Sequence, residues 1–298
     1  MAFRLKRRRS ITTELEKLVH SEFQTAIKEL DQPKPGADAI HEARKSLKKI
    51  RAVLRLLRNP LGHDYGPANR RLRDVAHRLA SLRDVDATSE TLRALRHRYP
   101  TVITPGVTRA VAHGLRPRKR QAKAKAGPVV RRATGMLQRS HHSTPRRIRR
   151  VRGFSAVRSG VKRGYRRARA SMDEVSLNSD FTQFHAWRRG VKDHWYHVRL
   201  FEGLHPTPRS RARTLKRLET WLGDDHNLGM LRATILDAPD RFGDARTTAL
   251  VLGCITKYQA SLRRDALKLG HRLFAEKPGR FERAVDDWWN SPSNGKKS

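Results

Sequence analysis

Two segments of this sequence carry the same pattern, a histidine followed by basic residues that fall on one face of a helix. The first begins at His41 and the second at His185. At about 100° per residue, positions +3, +7, +10 and +14 lie close together around the helix, within an arc of roughly 80°. The basic residues at these positions are Arg44, Lys48, Arg51 and Arg55 in the first segment, and Arg188, Lys192 and Arg199 in the second. The pattern predicts two helices, each with a narrow cationic face.

The first of these helices also has a separate apolar face, which spans an arc of roughly 140°. The residues on it are Ile40, Ala43, Leu47, Ile50, Val53, Leu54 and Leu57. An apolar face packs against the rest of the protein, so the cationic face is left free to meet a ligand. Two such faces in one chain suggest one site built by duplication, with an elongated polyanion as its ligand.

The overall charge points to the same kind of partner. Lys and Arg number 66 against 28 Asp and Glu, for a net charge of +38. A fold with this charge repels itself, which a polyanionic partner would relieve. Arg outnumbers Lys by 48 to 18, and the planar guanidinium group can hold two phosphate oxygens at once. The alternative is a generic basic protein from an Arg-rich proteome.

Helical periodicity runs through nearly the whole chain, and no alternating strand pattern exceeds four residues. The sequence therefore predicts an all-α fold. Thr-Pro pairs such as Thr104-Pro105 mark helix starts, because Thr caps a helix and Pro suits its first position. The predicted helices are 12–30, 38–58, 67–83, 85–98, 105–139 with a break allowed at Gly127-Pro128, 154–174, 181–203, 208–222, 225–236, 242–272 and 278–290.

The repeat extends beyond the two cationic faces. The Leu-rich segment 79–85 starts 38 residues after His41, and segment 222–228 starts 37 residues after His185. We expect a single domain over residues 1–298, built from two homologous repeats at roughly 10–140 and 146–292. Residues 291–298 are predicted to fray.

Other features of the sequence bear on disulfides, cellular location and metal binding. Cys254 is the single cysteine, so no intramolecular disulfide is possible. The basic N-terminus lacks a following apolar segment, and no run of 18 apolar residues exists. We therefore expect no membrane insertion and a cytoplasmic location.

Acid pairs such as Asp84 with Asp86 could hold a divalent cation, but acids at helix starts more often cap the helix or pair with Arg. We expect no cofactor, no metal and no catalytic residues.

The order of these motifs resembles the conserved histidine α-helical domain (CHAD) family. The resemblance rests on His41-x-x-Arg44-x-x-x-Lys48, on segment 82–86 (LRDVD), on segment 184–192 with His185, and on segment 222–227 (LGDDHN). It covers nearly the whole chain. It implies two four-helix bundles related by pseudo-twofold symmetry, with a basic groove or pore between them. It also implies binding of inorganic polyphosphate and a location at polyphosphate granules.

The second cationic face departs from the family pattern at two positions. Trp195 stands at +10, and Asp193 stands at +8, where the first face has Lys49. We expect the second face to contribute less charge than the first. The expected polyphosphate-binding residues are His41, Arg44, Lys45, Lys48, Lys49, Arg51, Arg55, His185, Arg188, Arg189, Lys192, Tyr196 and Arg199.

The two histidines have two interpretations. Asp38 and Thr182 each lie three residues earlier and could cap their helices, which would place each histidine in a first turn. There the helix dipole disfavours a charged imidazole, whereas bound phosphate would favour it. The histidines either donate to phosphate, with tighter binding in mild acid, or serve as structural hydrogen bonders.

The sequence leaves three functions in competition. The first is non-catalytic binding of inorganic polyphosphate. The second is non-specific binding of RNA or DNA, against which the low aromatic content of 6% argues, since single-strand binders stack bases on aromatic rings. The third is an enzyme that processes polyphosphate or triphosphate.

Overall fold

The computed structural model describes residues 3–6, 10–177 and 180–290, and this part of the chain contains helices and no strand. The predicted all-α fold is confirmed. The α-helices are α1 (Ile11–Leu30), α2 (Ala37–Leu56), α3 (Arg58–Leu61), α4 (Tyr65–Arg98), α5 (Pro105–Ile148), α6 (Phe154–Leu177), α7 (Phe181–Arg199), α8 (Pro206–Leu236), α9 (Ala245–Leu273) and α10 (Pro278–Asn290). Two short 3₁₀ helices cover Gly62–Asp64 and Pro239–Arg241. The predicted fraying of 291–298 lies outside the described residues.

The two halves of the chain pack their helices in the same order. In the first half α1 packs on α2, α2 on α4 and α4 on α5, while in the second half α6 packs on α7, α7 on α8 and α8 on α9. The halves meet where α2 contacts α6 and α7 and where α4 contacts α8. This arrangement places α2 and α7, the two helices with cationic faces, at the centre of the molecule. The duplication of residues 10–140 and 146–292 stays a prediction.

Two clusters of buried apolar side chains hold the helices together. The larger lies behind α2 and α7 and includes Leu47 and Trp187, both without exposed surface. All seven residues predicted for the apolar face of the first helix are buried. The smaller cluster joins α4, α5, α8 and α9 around Leu95, Leu115 and Leu231. Removing these side chains from water is the main favourable contribution to folding.

Three predicted breaks do not occur. Segments 67–83 and 85–98 form the single helix α4, segments 208–222 and 225–236 form α8, and α5 continues through Gly127-Pro128 to Ile148. Gly and Pro, at the positions in α5 and α8, and Asp84 in α4 have weak helix propensity, but buried residues on both sides of these positions fix the helices to the rest of the protein. In α5 these residues are Leu115 before the predicted break and Leu137 after it.

Helix starts follow capping chemistry, although not always at the predicted residue. Thr104 caps α5 as predicted. Asp180, rather than Thr182, caps α7 through its carboxylate. Gly36 precedes α2 without a side-chain cap, so Asp38 lies within the first turn of the helix. The predicted caps next to the two histidines were therefore wrong by two residues.

Glycines let α6 approach α2 and α7 closely. A Cβ atom at Gly160 would overlap the carbonyl oxygen of Leu56, and one at Gly164 would lie 2.6 Å from Nδ1 of His197. The buried His197 places Nε2 3.0 Å from the carbonyl oxygen of Ala52. These contacts join the three helices at the boundary between the two halves.

We expect Gly160→Ala to lower the free energy of unfolding by about 1–3 kcal/mol, because the new methyl group has no space next to Leu56. Gly253→Ala is the matched control, since it also lies inside a helix but has open space, with no atom within 4 Å, where the new Cβ would lie. That variant should gain about 0.5–1 kcal/mol, because Ala loses less backbone entropy than Gly in a helix. Urea unfolding of both variants checks the pair, and equal effects would contradict the interpretation.

Candidate polyanion-binding site

Four basic side chains from α2 and α7 come together at the boundary between the two halves. Burial, and after it the charges of Lys192, Arg44 and Arg188, lower the pKa of Lys48 to about 7. A like charge acts on a pKa in this way when it lies close by. We call Arg44, Lys48, Arg188 and Lys192 the cation cluster. The two cationic faces therefore meet, as the sequence pattern suggested.

Lys48 and Arg188 have no carboxylate partner within hydrogen-bond or ion-pair distance in the described part of the chain. Both side chains are partly buried. Nε of Arg188 is inaccessible to solvent and makes no hydrogen bond. Burial lowers the pKa of Arg188, although the more distant charges of Glu219 and Asp224 oppose this effect. Unpaired charge in such a place costs free energy, which an anion would recover.

Lys192 differs from these two residues because a buried carboxylate neutralises it. Nζ of Lys192 lies 2.5 Å from Glu219, and Nζ of Lys216 lies 2.8 Å from the same carboxylate. Burial by itself would raise the pKa of Glu219, but the two ammonium groups outweigh burial and lower it to about 2. Glu219 was not among the residues predicted from the sequence, and its one local signal is its position three residues after Lys216 on α8.

Two arginines of the first face are held by α4. Nη1 of Arg44 donates to the carbonyl oxygen of Ala76 at 2.8 Å, and Nε of Arg51 donates to Oδ1 of Asn69 at 3.2 Å. Burial and the nearby charge of Arg55 lower the pKa of Arg51 to about 10. Because these partners are neutral, both guanidinium groups keep their net charge while their positions are fixed.

The two histidines singled out in the sequence each face a basic or titratable residue of the next long helix. His41 of α2 faces α4, and His185 of α7 faces α8. Nδ1 of His41 accepts from Nε of Arg83 at 3.4 Å, and Nδ1 of His185 lies 3.1 Å from Nδ1 of His226. Burial lowers the pKa of His41 and His185, and nearby arginines add to the effect. The pKa of His226 is lowered to about 3, by burial and then by Arg188. At neutral pH these histidines are therefore uncharged in the free protein.

Arg83 and His226 were not among the predicted binding residues. Both belong to the motifs that carried the family resemblance, in segments 82–86 and 222–227. The sequence contained one signal for these two residues. The two motifs follow His41 and His185 at nearly equal distances along the chain, so Arg83 and His226 hold equivalent positions.

Several predicted residues have partners inside the protein. Lys45 pairs with Glu42 at 2.8 Å on the exposed side of α2, and Lys49 pairs with Glu22 of α1 at 2.7 Å. Arg199 lies 3.9 Å from Glu202. The structure does not bring these three side chains to the cation cluster.

Tyr196 also differs from the expectation. Its side chain is buried and packs edge-on against the ring of Phe3. Burial raises the pKa of its hydroxyl. The structure therefore assigns Tyr196 to the core rather than to a binding face.

Arg55 and Asp193 make an ion pair across the two halves. Nη2 of Arg55 lies 2.6 Å from the carboxylate of Asp193. The acid that interrupts the second cationic face thus also neutralises the end of the first. Arg189 is exposed next to the cation cluster, on α7. The set of predicted residues that the structure brings together is therefore smaller than expected, and its centre is the cation cluster.

Asp225, an acid of segment 222–227, is engaged within the protein. Asp225 accepts from Nε of Arg263 at 2.7 Å and from the side chain of Gln259 at 3.2 Å. Residues 3–6, 10–177 and 180–290 hold no group of three His, Cys, Asp or Glu side chains placed to bind a metal ion. The same residues include no helix long and apolar enough to cross a membrane.

Comparisons with known proteins agree with this architecture. A family model for the CHAD domain matches residues 12–236. The structure is similar to the crystal structure of the CHAD domain from the plant Ricinus communis, with a TM-score of 0.68 and 15% sequence identity over 93% of this chain and 96% of that chain. The search of curated proteins finds no match. Since the family model covers most of the sequence, the chain belongs to the CHAD domain family.

Proposed function

We propose that this protein binds inorganic polyphosphate, without catalysis, at the cation cluster. The observation that supports the proposal best is the pair Lys48 and Arg188, which carry partly buried charge without a carboxylate partner. A phosphate chain would supply the missing negative charge. Binding of the polymer would also hold the protein on polyphosphate granules.

The shape of the charged row suits a linear polymer. Arg44, Lys48 and Arg51 lie on successive turns of α2, and a helix rises about 5.4 Å per turn. Polyphosphate offers about one charge per phosphate along an extended chain, so neighbouring phosphates can meet successive side chains. Arg groups can hold two phosphate oxygens each, which adds orientation to attraction.

Nucleic acid is the second candidate, because its backbone carries similar charge. Stacking of bases on rings gives single-strand binders much of their affinity. Near the cationic faces, the ring of Trp195 is already in contact with two basic groups, which a stacked base would have to displace. The Arg199 guanidinium lies 4.9 Å from the ring centre, and the Lys216 ammonium lies 5.1 Å from it. A competition assay at physiological salt decides between the two. Polyphosphate should displace a single-stranded RNA of equal charge, and preference for the RNA would overturn the proposal.

The non-catalytic part of the proposal needs its own measurement. Incubation with long-chain polyphosphate and Mg²⁺ or Mn²⁺ should release no orthophosphate above the protein-free rate. Release that increases with protein concentration would support the third candidate, an enzyme that processes polyphosphate.

The affinity for polyphosphate should depend strongly on salt. Each neutralised phosphate contributes a slope of about −0.7 to log K against log salt, so four to six contacts give about −3 to −4. In the double variant Lys48→Gln/Arg188→Gln the slope should become shallower by about 1.4. Arg131→Gln/Arg132→Gln, which removes the same charge from the exposed side of α5, is the control. Fluorescence anisotropy at four salt concentrations measures both, and equal slopes would contradict the proposed site.

Binding should also depend on pH through Lys48. Its pKa is about 7 in the free protein, and a bound anion favours the charged form and raises that pKa. Binding therefore takes up a proton above pH 7, so affinity should fall as the pH rises from 7 to 9, by up to about tenfold per unit. Lys48→Arg keeps its charge over this range and should bind with little pH dependence. Parallel curves for the two proteins would exclude Lys48 from the site.

Replacement of Lys48 by an apolar residue should separate stability from binding. We expect Lys48→Met to raise the free energy of unfolding by about 0.5–2 kcal/mol, because it removes a desolvated charge that three other cations repel. The same variant should bind polyphosphate more weakly. Urea unfolding at pH 6, where Lys48 is charged, gives the clearest comparison, since the destabilisation of the native state by that charge is largest below its pKa. A loss of stability would show that Lys48 has a structural partner.

A further inference from the structure

A separate pocket of about 350 Å³ opens at the C-terminal end of α2, where α3, α6 and α7 converge. Arginines from three helices line it, together with one acid and one tyrosine. We call it the arginine pocket, and the residues that matter here are Arg55, Arg58, Tyr65, Arg163, Arg167 and Asp193.

Positive charge exceeds negative charge in this pocket. Four guanidinium groups line it against one carboxylate, that of Asp193, which lies 2.6 Å from Arg55 and 3.8 Å from Arg167. Arg163 donates to the carbonyl oxygens of Arg55 and Leu56 at 2.9 and 3.2 Å, so its partners are neutral. Burial lowers the pKa of Arg163, and the nearby charge of Arg58 adds to this effect. An anion would therefore be attracted even while Asp193 is in place.

The pocket combines fixed inner groups with outer groups that solvent reaches. Arg55 has a side chain only 20% exposed, and its Nε is buried without a hydrogen-bond partner. At the rim, the side chain of Arg167 is 54% exposed, and Arg58 is exposed beside the ring of Tyr65, 5.6 Å from its centre. A ligand could enter past the rim and be held by the fixed groups inside.

The equivalent place in the other half is filled by the protein itself. Arg199 occupies the same position in its helix as Arg55, and Lys49 the same position as Asp193. There the ring of Phe3 lies 5.8 Å from both the Lys49 ammonium and the Arg199 guanidinium. The backbone of Leu5, two residues on, donates to the carbonyl oxygen of Leu200 at 2.7 Å. The pocket is thus open at the end of α2 but filled at the equivalent end of α7, so the shared helix packing does not by itself create it.

We propose that the arginine pocket is a second anion site, which binds a compact phosphoanion of two or three phosphoryl groups. A pocket of this volume is too large for a single orthophosphate and has no space for a long coiled polymer. Several arginines around one cavity match phosphate oxygens, which they bind in pairs. Asp193 serves as the internal counter-ion of the empty pocket. The proposal does not depend on the function of the cation cluster.

The test uses the full chain and inorganic tripolyphosphate, measured by titration calorimetry. Arg58→Gln/Arg167→Gln should weaken binding at the pocket by about tenfold or more, since hydrogen bonds to charged groups are lost. Asp193→Asn should tighten it several-fold, because the competing carboxylate is gone. Arg131→Gln/Arg132→Gln, with the same change in charge, should bind like the unmodified protein. Arg58 and Arg167 lie at the rim, so folding should persist, and circular dichroism checks this.

Two further arms identify the source of the phosphoanion and separate the two sites. ATP in place of tripolyphosphate shows whether a nucleotide is accepted or only a free inorganic chain. The variant Lys48→Gln/Arg188→Gln should keep the tripolyphosphate site of the pocket but lose affinity for long polyphosphate. Unchanged tripolyphosphate binding in Arg58→Gln/Arg167→Gln would overturn the second site. Unchanged long-chain binding in Lys48→Gln/Arg188→Gln would overturn the cation cluster instead.

Discussion

The central constraint in this protein is that apolar packing holds like charges together. The cationic faces of α2 and α7 would separate if only their electrostatics mattered, since four basic groups meet there. Behind them Leu47, Ile50, Trp187 and Val191 are fully buried, and each such side chain contributes roughly 1.5–3 kcal/mol on leaving water. The glycines of α6 let a third helix close over the same region. The core therefore maintains this repulsion, which a bound anion would relieve.

Internal acids decide how much of that charge is available. Glu219 is buried between Lys192 and Lys216, so one member of the cation cluster is neutralised in advance. Glu22 of α1 neutralises Lys49 in the same way. Lys48 and Arg188 are left with the largest unmet charge. This placement of the acids leaves the excess positive charge at one place, around Lys48 and Arg188. It also limits the repulsion between basic groups in the folded protein.

Much of this architecture could be predicted from the sequence, and the limits have physical causes. The periodicity of α2 gave its apolar face correctly, because all seven residues are buried, and the motif order gave the family. Periodicity describes one helix at a time, however, and does not show which acid of another helix reaches a given lysine. Glu22, Asp193 and Glu219 therefore could not be paired in advance. The breaks expected in α5 and α8 were wrong because tertiary packing outweighs the weak helix propensity of Gly and Pro. The break expected in α4 was at Asp84, and the helix continues there between the buried Leu82 and Thr88.

The small apolar cluster around Leu95, Leu115 and Leu231 has a consequence for how the molecule comes apart. Helices α4, α5 and α8 each run from this cluster to the larger one, and in α5 nearly every residue from 116 to 125 is exposed between them. Backbone amides in such a stretch exchange with solvent through local opening. Because α5 is so exposed between them, the two cores need not melt together, and denaturation can pass through a state in which the distal end of α5 is loose while the centre is intact. A phosphate polymer bound at the centre would then protect only one of the two cooperative units.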